Sequence, residues 1–164
     1  MSYPATVDTG QVQPYALYLD DLQQGGLSSG FAAGAIFING IIVSAPLTIL
    51  AMECRMGTAT GNIDMGIYDV NFNLLVHKGA TAAASGLNTL TFASPLPLSP
   101  GQYWLAWMDT IGTDTVYEAN SGLGGFQLTQ RSVATTFTQI AANASWQTTS
   151  ARIGLLAKVQ GGYP

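Results

Sequence analysis

Charge is what this sequence has least of. Only 9% of its residues are Asp, Glu, Lys or Arg, where about 25% is usual. Five are basic (Arg55, Lys78, Arg131, Arg152 and Lys158), and they are scattered along the chain. Sequence-independent binding of nucleic acid needs a dense Lys/Arg footprint, so nucleic acid is not an expected partner. Little charge also means little to hold copies apart, which points to a homo-oligomer. Cysteine is nearly absent. The single Cys54 excludes an internal disulfide and a cysteine-based zinc site. It shares strand parity with Leu50, Met52 and Met56 and reads as a buried apolar residue.

Helical periodicity is missing too. No stretch sustains apolar residues at i, i+3, i+4 and i+7, so little helix is expected. Met1-Ser2-Tyr3-Pro4 has neither the basic nor the apolar region of a secretory leader. Residues 31–52 are uncharged and strongly apolar, yet a membrane helix there would carry Asn39-Gly40 and Pro46 at mid-depth. No membrane span is expected. Asn-Gly between apolar runs is instead a hairpin signal.

Catalytic and cofactor motifs are lacking as well. There is no Gly-x-Ser-x-Gly, no phosphate-binding loop before a helix and no Asp-x-Asp-x-Asp-Gly calcium loop. The only histidine, His77, follows a turn and precedes Lys78, a surface or interface position. Most of the nine acidic residues fall at turns or on polar faces, which gives a glycosidase pair little support. Asp109, Asp114 and Glu118 share one loop and are the only oxygen-donor group that could be considered for calcium. The sequence therefore predicts no enzyme, no cofactor and no bound metal.

What the chain does have is strands. Residues 101–108, Gly-Gln-Tyr-Trp-Leu-Ala-Trp-Met, follow the turn Ser99-Pro100-Gly101. Alternation puts Tyr103, Leu105 and Trp107 on one face and Trp104, Ala106 and Met108 on the other. Both faces are apolar, so this strand should lie at a sheet centre, covered on two sides. Before it, residues 35–38 and 41–43 read as a hairpin about Asn39-Gly40, and 47–56 as a strand with Leu50, Met52, Cys54 and Met56 inward. Residues 62–69 alternate cleanly, with Ile63, Met65 and Ile67 inward and Asn62, Asp64 and Tyr68 outward. A turn at 69–73 leads to a partner strand at 74–77. Residues 87–92 alternate again before Pro95, Pro97 and Pro100 end the strand. Short strands are expected near 115–118, 126–128 and 135–137, and a closing one at 153–159.

Residues 1–30, broken by Pro4, Gly10, Pro14 and Gly25-Gly26, read as an extended arm docking on a neighbouring copy or another partner. Residues 31–164 form one domain. Eight to ten short strands at this spacing predict an all-β antiparallel sandwich, jelly-roll-like.

Three segments carry a resemblance: Gly66-Ile67-Tyr68-Asp69 with its preceding strand, Leu74-Leu75 after the turn, and Leu98-Ser99-Pro100-Gly101-Gln102-Tyr103-Trp104-Leu105-Ala106. This set resembles β-sandwich proteins of bacteriophage virions, of the head-decoration, head-fibre and tail-fibre-tip type. The resemblance covers residues 41–108 and, more loosely, the closing strand. It implies a structural protein of the particle surface, a capsid decoration or short head fibre forming a symmetric oligomer, with a trimer favoured. Other virion proteins would meet the N-terminal arm. The chain has no collagen-like or coiled-coil stalk, so the implied role is compact rather than a shaft. The alternative is a tail-tip receptor-binding or carbohydrate-binding module touching host surface glycans. Its contacts would be aromatic rings outside the core, and Tyr68, Tyr117 and Trp146 are the candidates.

Overall fold

The computed structural model describes residues 17–18, 27–28, 33–117, 130–133, 140, 147–148 and 153–160. Among them the regular structure is all strand. In chain order these are β1 (Leu17–Tyr18), β2 (Leu27–Ser28), β3 (Ala35–Val43), β4 (Leu47–Met56), β5 (Asn62–Asp69), β6 (Leu74–His77), β7 (Thr81–Ala82), β8 (Gly86–Leu98), β9 (Gly101–Asp109), β10 (Val116–Tyr117), β11 (Gln130–Val133), β12 (Gln147–Thr148) and β13 (Leu155–Val159).

They build two antiparallel sheets, packed face to face as a β-sandwich. The first runs β1-β13-β4-β8; β10 joins β4 beyond the end of β13 and carries β2. The second runs β12-β11-β3-β9-β5-β6, with β7 also on β5. Take β1, β3, β4, β5, β6, β8, β9 and β13 as first to eighth. One sheet is then ordered first, eighth, third, sixth, and the other second, seventh, fourth, fifth. That is the strand order of a jelly roll. Its first strand comes from the expected arm, because Leu17 pairs with Ala157 and Tyr18 with Leu156. Leu27–Ser28 pairs with β10. Both pieces pair with strands of their own chain; the rest of the expected arm, residues 1–16, 19–26 and 29–30, lies outside the described residues.

The core lies between the sheets. Phe37, Ile41, Met52, Cys54, Met65, Leu105, Trp107 and Leu155 are among its buried members. Strand β9 sits between β3 and β5, and its other face, Trp104, Ala106 and Met108, is buried as well. On that face they form a second cluster with Ile36, Ile38 and Tyr68 of the flanking strands, and Ile140 and Phe72 pack against it. The expected two-sided strand is therefore present. Burying a side chain as large as Trp104 stabilises by about 3 kcal/mol.

Four local readings are corrected. Asn39-Gly40 is not a turn, because β3 runs straight through it. Asn39 occupies an inward position, and its Nδ2 donates to the carbonyl of Ile153 across the sandwich. That bond gives the half-buried amide a partner. Leu50 is not inward; a bulge between Ile49 and Ala51 turns Ile49 into the core in its place. Pro95 and Pro97 do not end β8, which continues to Leu98. Among the described residues β8 pairs on one side only, with β4, and an edge strand tolerates proline because that side needs no donor. Finally, Asp64 and Tyr68 are fully buried rather than on an open polar face. The strands expected at 126–128 and 135–137 lie outside the described residues.

Candidate functional site

The outer face of the second sheet holds a buried polar arrangement centred on Asp64. Asp64 lies on β5 with no exposed surface, and as a carboxylate it only accepts hydrogen bonds. Its Oδ1 accepts from the backbone N–H of Gly79 at 2.8 Å. Its Oδ2 accepts from Ile140 N–H at 2.9 Å and stands 2.8 Å from His77 Nδ1. An acceptor-only carboxylate fixes the tautomer with the proton on Nδ1. One side chain thus ties β5, β6, the Gly79 corner and the residue-140 segment together. Both carboxylate oxygens are thus engaged by donors within the fold. The sequence offered a weak signal for this pairing. His77 stands opposite Gly66, two positions along β5 from Asp64 and on the same face.

Beside this group lies Tyr68, one of the three candidate contact residues. It is fully buried, opposite Trp104 in the neighbouring strand. Burial pushes its hydroxyl pKa up, and the nearby Asp64 charge adds to that. Alternation placed Tyr68 opposite the core correctly, but that outer face is itself covered, so the ring is not open to a ligand. Phe72 completes the cover, stacking on Trp104 with centroids 5.4 Å apart. To reach it, Phe72 adopts a left-handed φ of 63°, uncommon for a bulky side chain. The turn is held by Asp69, whose Oδ1 accepts from the N–H groups of Asn71 and Asn73 and whose Oδ2 accepts from Asn73 Nδ2. The Asn73 side chain, more than any other contact, lowers the Asp69 pKa.

The second candidate, Tyr117, lies on β10 on the outer face of the first sheet. It is half-buried, and the Arg55 guanidinium sits 5.3 Å from its ring centroid, over the face. Next to it, Glu53 is buried under Lys158 Nζ at 3.0 Å and the Thr89 hydroxyl at 2.7 Å. One face of the Tyr117 ring is thus taken by a cation of its own chain. Trp146, the third candidate, lies outside the described residues; Tyr68 and Tyr117 lie on different sheets.

Of the acidic loop considered for calcium, Asp114 is committed internally. Asp114 is buried; its Oδ1 accepts from the N–H and hydroxyl of Thr60, and its Oδ2 from Gly61 N–H. Asp109 Oδ1 accepts from Ile111 N–H at 3.0 Å, and Oδ2 has no donor among the described residues. Burial raises the Asp109 pKa from 3.8 to about 6. Glu118 lies outside the described residues. Among those described, no three His, Cys, Asp or Glu side chains stand together as a metal site. The Cys54 thiol, fully buried, is pushed up to about 12 by desolvation and is a thiol at neutral pH.

No protein-family model, curated protein or solved structure matches the chain. The virion resemblance accordingly stands on the three quoted segments.

Proposed function

We propose that the chain is a non-enzymatic structural protein of a bacteriophage virion. It acts as a capsid decoration or short head-fibre subunit, assembled as a symmetric oligomer, with a trimer favoured, on the particle surface. The observation that carries this reading is the placement of the family-like segments. Ile67 stands opposite Leu105, Tyr68 opposite Trp104 and Asp69 opposite Tyr103, so the Gly-Ile-Tyr-Asp strand and the Pro-Gly-x-Tyr-Trp-Leu-Ala strand are neighbours in register. Segments that resemble one family in sequence are adjacent strands of one sheet. The low charge supports close packing among copies, and among the described residues Asp64, Asp69 and Asp114 accept from backbone amides of their own chain.

Peptide mass spectrometry of density-banded particles, paired with deletion of the chain, tests the proposal. Copies in stoichiometric number on the head, with host adsorption unchanged by deletion, are expected. Absence from washed particles would remove the reading. A deletion that abolishes adsorption would replace it with the tail-tip receptor or glycan-binding module.

A further inference from the structure

We propose that the edge of β8 over residues 86–92 is a two-fold contact at which a second copy of this chain adds its own β8, antiparallel. Strand β8 is the longest described, and among the described residues only β4 pairs with it. An edge strand presents unpaired N–H and C=O groups, and proteins usually blunt it with charge, proline or a bulge. Here the blunting is confined to one half. Pro95 and Pro97 sit in the second half, beyond the register break that separates Thr91 from Leu96. The first half has none of these devices. No charged residue occurs anywhere from Gly79 to Met108.

Parity decides the register. Leu87, Thr89 and Thr91 are exposed, whereas Asn88, Leu90 and Phe92 are buried on the inward side. The connection from β7 is held to that inward side, where Asn88 Oδ1 accepts from Ala84 N–H and Nδ2 donates to Ala84 O. Exposed residues must stay on one face of the combined sheet. A pair centred on Thr89 satisfies this over the whole half-strand, with Thr89 opposite its own copy and Leu87 opposite Thr91. Leu87, 58% exposed in the single chain, then gains a cross-strand neighbour. Because the segment is uncharged, joining two copies sets no like charges against each other. A second copy fits this edge better than a charged partner peptide does.

The contact does not depend on the virion reading. Thr89→Cys in the full chain is the direct test, because opposed Cα atoms about 4.5–5.5 Å apart fall within disulfide reach. Under mild oxidation it should become a covalent dimer, while Thr91→Cys, which faces Leu87, should not. Leu87→Cys/Thr91→Cys should cross-link again. Light scattering should give an even number of copies, halved by Leu87→Lys/Thr91→Lys at exposed positions that leave the fold intact. A monomer or a bare trimer, with Thr89→Cys uncross-linked, would overturn the edge contact; the bare trimer would leave the virion reading standing. A mass unchanged by the double lysine variant would also overturn it.

Discussion

Asp64 and His77 are joined at 2.8 Å on a face of the sheet that alternation alone marks as polar and open. The carboxylate is fully buried and also holds two backbone amides, so its removal strands three donors at once. Asp64→Ala should destabilise by about 3–5 kcal/mol in urea unfolding. Asp64→Asn keeps one good acceptor and should lose roughly half as much. Equal losses for the two variants would show that the three bonds are not what the side chain contributes.

Asp109 gives a pH dependence of definite sign. Its folded-state pKa, about 6, is raised above the ordinary value of 3.8, so the folded protein binds the proton more tightly than the unfolded chain. Its contribution is fully present below about pH 4 and is lost as pH rises through about 6. Asp109→Asn keeps the acceptor for Ile111 and removes the buried charge. It should gain about 1–3 kcal/mol at pH 8 and nothing at pH 4. Thermal melts at the two pH values read this, and an equal shift at both would refute it.

Asn39 Nδ2 donates to the Ile153 carbonyl on the other side of the sandwich. Asn39→Ala leaves that buried acceptor unsatisfied and should cost about 1–3 kcal/mol. If Asn39-Gly40 instead acted as a turn, the loss would be confined to a few tenths, and denaturant unfolding distinguishes the two.

Gly66 tests the β5–β6 register. A Cβ there would lie 2.6 Å from the Val76 carbonyl oxygen and 2.9 Å from His77 Cβ, with backbone on one side and a packed ring on the other. Gly66→Ala should cost about 2–3 kcal/mol. Undiminished stability would mean that β6 can move aside.

Trp104 and Trp107 read as scaffold from sequence, and their burial agrees. Either Trp→Ala change should lose about 3–5 kcal/mol. Retained stability, measured by denaturant unfolding, would point away from a packing role.

The sequence made the layers legible because alternation reports which side of a strand is apolar. It gave β9 its central place and set Ile63, Met65 and Ile67 inward. Alternation does not report what lies over the other side. Asp64 and Tyr68 looked exposed because the residue that closes over them, Ile140, is far away in the chain. Asn39-Gly40 misled for a related reason: a local turn preference lost to a hydrogen bond with Ile153. Pro95 and Pro97 read as stops because the sequence could not show that β8 borders only one neighbour. For the candidate site, Tyr117 was placed near its strand, but the guanidinium over it is a cross-strand contact with no local signal.

Strand β13 carries a consequence for the order of assembly. It fills the gap between β1 and β4, so Leu17 and one side of β4 both wait for residues 155–159 before they are paired there. During synthesis, β4 emerges early and stays open along one side for most of translation. The sandwich is closed from its late strand, and a chain stopped short of residue 155 would present that open side to whatever is nearby.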